Sequence, residues 1–138
     1  MTLQAKRFGY VVSVDREGSL RTEDGAPFAP SEAWTPEHFV LAGLARCTLA
    51  SLDFHARRAG VAVVASAEAT GEVTRREDDV RYAFVEIACR IDVELDAPLE
   101  AEPLAELLAK AERDCFVGAS LRVVPAYDWH VTGRPPAE

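Results

Sequence analysis

The chain has 138 residues, 49% of them hydrophobic, and its 15 Lys and Arg against 23 Asp and Glu leave a formal charge of -8. That length suits one domain, spanning 1–138, with a core of its own. So acidic a chain has no bulk electrostatic means of holding DNA, RNA or an anionic lipid surface, so no nucleic-acid partner is expected.

The longest apolar run, around 39–45, reads as too short to cross a bilayer, so no membrane partner is expected either. The opening MTLQAKRFGYVV lacks an apolar core ending in a small-residue cleavage site. A cytoplasmic protein is expected, in which thiols stay reduced unless they do chemistry. The cysteines are Cys47, Cys89 and Cys115, and no CxxC or Cys/His pair among them has zinc spacing, so no metal site is expected.

Taken in order, Phe8, Tyr10, Val12 and Val14 alternate with other residues as a strand with one apolar face. Asp15-Arg16-Glu17-Gly18 reads as a turn and 19–23 as the return strand of a hairpin. Asp24-Gly25, Pro27 and Pro30 mark turns and irregular chain. A helix then follows over 36–59. Thr35 is placed to cap it, Pro36 takes the first helical position, Arg57 and Arg58 fill the last turn and Gly60 lies just past the end. Residues 39–50 are apolar on nearly every side, which predicts a helix buried all round.

Val61, Val63, Ala65, Ala67, Ala69 and Val73 alternate with mostly polar neighbours as a strand over 61–75. Arg76-Glu77-Asp78-Asp79 reads as a solvated turn. The next strand, 80–95, carries Ala83, Val85, Ile87, Cys89, Ile91, Val93 and Leu95 on one face. Pro98 and Pro103 bracket the start of a second helix running to about 115, with Leu104, Leu107, Leu108, Ala111 and Cys115 on one stripe. A last strand covers 121–131, and GRPPAE is a frayed tail. The order ββ(β)–α–ββ–α–β points to an α+β fold with mainly antiparallel sheet and a central buried helix. That helix is apolar on too many sides for one sheet to cover, so a second copy of the chain is expected against it.

Cys89 lies on the apolar parity of its strand and reads as a small core hydrophobe. Cys115 is expected at the C-terminal end of the second helix, whose negative end disfavours a thiolate. Cys47 is mid-helix, and Arg46 points about 100° away around the axis, so a reactive Cys47 needs a cation from elsewhere. Composition alone leaves Cys47 open between inert packing and chemistry. His38, His55 and His130 read as surface or capping residues, and Trp34 as packing over the start of the helix in preference to lining a substrate pocket.

Thr35-Pro36-Glu37 with Cys47 following, in PEHFVLAGLARC, resembles the signature of the OsmC/Ohr family, the osmotically inducible and organic-hydroperoxide-resistance proteins. AERDCFVGASL around Cys115 resembles its second signature, and REGSLRTEDG its N-terminal arginine turn. Phe116 stands where the family usually has proline, and Pro30-Ser31-Glu32-Ala33-Trp34 where the hydroperoxide subgroup tends to be glycine-rich. The subgroup stays open.

The resemblance implies an OsmC-like dimer acting as a thiol peroxidase. Cys47 attacks the peroxide as a thiolate, Cys115 condenses with the resulting sulfenic acid, and a dithiol, such as a lipoylated protein, reduces the disulfide. Arg16 supplies the cation and Glu37 holds its guanidinium, with no metal, haem or other cofactor. Apolar surroundings suit an organic hydroperoxide. The competing reading is a non-catalytic dimer of the same fold that binds a small lipophilic molecule. Glu37 and Cys47 lie about 15 Å apart along an unbroken helix. That spacing predicts either a site shared between two copies or a helix break near Gly43.

Overall fold

The computed structural model describes residues 4–133, which divide into two compact units between Pro36 and Glu37. The first unit holds three short antiparallel strands in the order β1 (Val12–Val14), β2 (Leu20–Thr22) and β3 (Pro27–Phe28). β1 is shorter than the alternation from Phe8 predicts, and Phe8, Tyr10, Val12 and Val14 are all exposed. The turn that joins β1 to β2 is built by Asp15, whose carboxylate accepts the N–H groups of Glu17 and Ser19 at 3.0 and 2.9 Å. Gly18 completes it with φ 86°, a conformation that L side chains rarely adopt. Arg16 sits in this turn, exposed. Phe28 and Trp34 meet edge to face at 6.4 Å.

The second unit holds α1 (Pro36–Arg58, which opens at the boundary), β4 (Val63–Arg75), β5 (Tyr82–Leu95), α2 (Ala101–Arg113), α3 (Phe116–Ser120) and β6 (Ala126–Gly133). α1 runs unbroken through Gly43, which removes the expected break. It closes as the sequence predicts. The N–H of Gly60 bonds the Arg57 carbonyl and that of Val61 the Ala56 carbonyl, a Schellman arrangement. By length and mean hydropathy (1.2 over its best window) α1 could cross a membrane, contrary to the expectation of too short a run. Its Leu44, Leu52 and Ala56 instead join the main hydrophobic cluster, so α1 is a core helix. Within one chain only one face of it is buried, not all sides.

β4 and β5 pair antiparallel over their full length. A bulge shifts the register between Glu72 and Val73, so Glu72 faces Glu86 but Val73 faces Phe84. One extra residue reverses the side-chain parity. Val85, expected in the core, is therefore exposed, while Phe84 turns inward against the core. β6 pairs with β5 in parallel, since α2 and α3 carry the chain back across. The sheet order is β4-β5-β6, antiparallel then parallel. The core forms where Ile87, Cys89, Ile91, Val93 and Leu95 of β5 meet α1 and Leu107 and Ala111 of α2.

The charged turn 76–79 is more ordered than its composition predicts. Arg76 pairs with Asp79 and Asp78, and Arg122 reaches across to both aspartates. The expected tail GRPPAE begins at Gly133, the last residue of β6, and its remainder lies outside the described residues.

Candidate active site

Three polar residues line one side of the apolar helix α1 at helical spacing: Thr48, Ser51 and His55. Each is tied locally or to the end of α2. The Thr48 hydroxyl donates to the Leu44 carbonyl at 2.8 Å, a bond back into its own helix. The Ser51 hydroxyl donates to the Ala111 carbonyl at 2.9 Å. His55 Nε2 meets an Asp114 carboxylate oxygen at 2.7 Å. His55 is thus a clamp between α1 and the end of α2, only 10% of its side chain exposed, rather than a surface residue. His130, as expected, is exposed, beside Asp128.

This clamp fixes the segment that carries Cys115. α2 ends at Arg113, two residues short of the Cys115 where its apolar stripe predicts an end. Asp114 caps it, and Cys115 is extended, with φ -77° and ψ 105°. Cys115 is therefore the N-cap of α3, not the last residue of α2, and its sulfur accepts the Gly118 N–H at 3.4 Å. The expected penalty of a helix C-terminus on this thiol is corrected accordingly. Cysteine takes the place that serine or aspartate usually fills. One residue away, the Val117 N–H donates to the Cys47 sulfur at 3.5 Å. A single short run of backbone thus reaches both sulfurs.

These two adjacent N–H groups bring the Cys47 and Cys115 sulfurs into one neighbourhood. Cys47 is half-buried and Cys115 fully buried, and all three cysteines are free thiols. The Thr48 oxygen lies 3.6 Å from the Cys115 sulfur. Its one proton goes to Leu44, so the Cys115 S–H is the donor in that contact. Cys89 is buried in the core as expected, and burial pushes its thiol above the ordinary value. The Tyr127 hydroxyl completes the group, lying with the Cys115 sulfur beside Gly118. Tyr127 faces Cys89 across the parallel β5–β6 ladder. Sequence reading missed Thr48, Tyr127 and the neighbourhood of Cys89. The one available signal was a threonine directly after Cys47 in an otherwise apolar helix.

Burial pushes the Cys47 thiol above its ordinary value, and the neighbouring Cys115 sulfur adds to this. The Val117 and Phe116 N–H groups pull the other way. Of the other expected site residues, Glu37 lies in the first turn of α1, exposed, ten positions before Cys47 on the same unbroken helix. Arg16 belongs to the first unit. No group of three or more His, Cys, Asp and Glu side chains suited to a metal ion occurs among the described residues.

Comparison with solved structures gives the same fold. An OsmC-like protein from Mycoplasma pneumoniae superposes with a TM-score of 0.67 at 18% identity, over 94% of this chain and 99% of that one. An OsmC-like protein of unknown function from Vibrio cholerae reaches 0.72 at 13% identity, over 91% and 99%. The organic hydroperoxide resistance protein OhrB of Bacillus subtilis reaches 0.56 at 19% identity, over 90% and 96%. Comparison with curated proteins gave no match. A profile of the OsmC-like protein family matches residues 29–127, from the end of the first unit through α1, Cys47, Cys115 and Tyr127. The chain therefore belongs to the OsmC-like family.

Proposed function

We propose that this protein is a cytoplasmic, cysteine-based peroxidase that reduces organic hydroperoxides. The Cys47 thiolate attacks the distal oxygen of ROOH, the O–O bond breaks, and RO- takes a proton to leave as the alcohol. Cys47 is left as a sulfenic acid. The Cys115 thiol displaces its hydroxyl, forming the Cys47–Cys115 disulfide and water. A dithiol reductant returns both sulfurs to thiols. The observation that carries the reading is that a half-buried thiol and a fully buried one accept from nearly adjacent backbone N–H groups, Val117 to Cys47 and Gly118 to Cys115.

The reading needs a cation for Cys47, because burial alone holds it protonated. Arg16 is the proposed source and Glu37 the carboxylate that orients it. A homodimer is part of the proposal. Ten helical positions separate Glu37 from its own Cys47, and a second copy offers another Glu37 as well as cover for the exposed side of α1. The names of solved relatives such as OhrB support the substrate class. The raised thiol of Cys47 is what the non-catalytic reading, a dimer holding a small lipophilic molecule, would also show. A thiol count separates the two. One equivalent of cumene hydroperoxide should remove two of the three free thiols, with peptide mapping joining Cys47 to Cys115 and leaving Cys89 reduced. An unchanged thiol count would leave only the binding protein.

A further inference from the structure

Gly118 sits between two functional atoms. A Cβ there would stand 2.5 Å from the Tyr127 hydroxyl oxygen and 3.4 Å from the Cys115 sulfur. No side chain fits unless the tyrosine moves, so the absent side chain is what lets the hydroxyl approach the sulfur. The Gly118 N–H already donates to that sulfur at 3.4 Å. Cys115 is fully buried, and a thiolate formed there without donors would be costly.

We propose that the Tyr127 hydroxyl, together with the Gly118 N–H, is the donor pair that receives the Cys115 thiolate when the Cys47–Cys115 disulfide is reduced. The inference rests on the peroxidase reading for the identity of that disulfide. The order of steps follows from access. A thiolate of the dithiol reductant attacks the sulfur of Cys47, the more exposed of the two. A bond forms between the reductant sulfur and Cys47, the Cys47–Cys115 bond breaks, and its electron pair leaves on Cys115. The second thiol of the reductant then displaces Cys47, closing its own disulfide, and two protons restore both protein thiols.

Exchange is faster when the leaving thiolate is stabilised, and a hydrogen bond to a charged sulfur is among the stronger kind. Burial holds Tyr127 well above its ordinary value, and the charge of Cys115 raises it further. The phenol therefore stays protonated, a donor throughout the range in which thiols exchange. The titratable groups facing it are Cys115 and, on the neighbouring strand, Cys89. A buried tyrosine hydroxyl commonly finds some partner. Here the polar atom that shares its side of Gly118 is one of the two reacting sulfurs.

The test compares wild type, Tyr127→Phe and Gly118→Ala, each oxidised with diamide rather than peroxide, so that it does not depend on peroxide chemistry. Reduction by dihydrolipoamide is followed by the appearance of free thiols. Tyr127→Phe should slow it about tenfold, the loss of one bond to a charged group. Gly118→Ala keeps the phenol but displaces it and should slow the same step. The attack of Cys47 on cumene hydroperoxide, timed separately, should change far less in both variants, a split between half-reactions that general loosening of the fold would not give. Equal rates of reduction in wild type and Tyr127→Phe would overturn the proposal, as would equal slowing of both half-reactions. Failure of diamide to join Cys47 to Cys115 would also overturn it. Failure of peroxide alone, with normal diamide oxidation and a slowed Tyr127→Phe, would reject the peroxidase reading and keep the donor pair.

Discussion

The two units of this chain hold themselves together by different means. In the second, α1, β5 and α2 converge on a core of fully buried side chains, with Leu44, Leu52, Ile91 and Cys89 among them. In the first, no described residue is buried, and Phe8 and Tyr10 are 63% and 76% exposed. Its three strands of two or three residues are held by ladder bonds, the Asp15 turn, the Thr22–Ala26 turn and the Phe28–Trp34 contact. A sheet so small, with no core, has little stability of its own. The difference teaches that the second unit supplies the rigid frame in which sulfurs are placed. The first offers a charged turn and exposed apolar side chains.

The sharpest way to break this comparison is at Cys47. If the second unit carries the chemistry, Cys47→Ser should abolish peroxide consumption while the melting temperature stays close to wild type, because serine fits a half-buried helical site. Turnover retained in that variant would end the peroxidase assignment. The next test concerns packing. Leu52→Ala should cost about 3 kcal/mol, since Leu52 is fully buried in the cluster. Val12→Ala should cost under about 0.5 kcal/mol in dilute protein. If a second copy covers the first unit, the Val12→Ala penalty should grow with protein concentration, and light scattering should give twice the 15.0 kDa chain mass. A mass near that of one chain at micromolar concentration would remove the dimer.

How far the sequence could be read follows from the range of the interactions. α1, β4 and β5 were legible because each is long and keeps one period, and α1 carries start and stop signals in Pro36 and Gly60. The family signatures also drew attention to Cys47 and Cys115, whose sulfurs accept from the nearly adjacent Val117 and Gly118 N–H groups. The parity switch at Val85 was hidden because a bulge leaves no mark when the extra residue is itself apolar. The break at Cys115 was hidden because neither glycine nor proline announces it. The polar group around the sulfurs was hidden for a deeper reason. Thr48, Cys89, Cys115 and Tyr127 come from four elements, and only the folded packing of α1 on β5 and β6 brings them together. His55 and Asp114 illustrate the same limit, 59 positions apart in sequence and 2.7 Å apart in space.

A smaller effect sharpens the comparison from the first unit. If Arg16 gives charge rather than stability, Arg16→Ala should leave the melting temperature nearly unchanged. It should move the pH dependence of Cys47 alkylation to higher pH. The sign follows from what surrounds the sulfur: burial already raises this thiol, and removing a proposed cation leaves nothing to oppose that except the N–H groups of Val117 and Phe116. An alkylation profile that does not move would take Arg16 out of the site and leave those N–H groups as its activators.

The smallest effect is expected at the clamp that positions Cys115. Asp114 accepts from Arg113 through both Nε and a terminal nitrogen at 2.9 Å, and from His55 at 2.7 Å. These bonds, Arg113 first, hold its carboxyl down at about 2, against an ordinary value of 3.8. A carboxyl whose folded value lies below its unfolded one stabilises the fold fully above the unfolded value, and that contribution fades as pH falls towards the folded one. The window is therefore from about pH 4 down to about pH 2. Asp114→Asn keeps the shape of the side chain and removes the charge. It should melt slightly below wild type at neutral pH, and the gap should close across that window. Because the clamp is partly exposed, the gap should also shrink in high salt. A gap that stays constant from neutral pH to about pH 2 would mean that Asp114 acts through shape alone. His55 would then hold the end of α2 with no help from its charge.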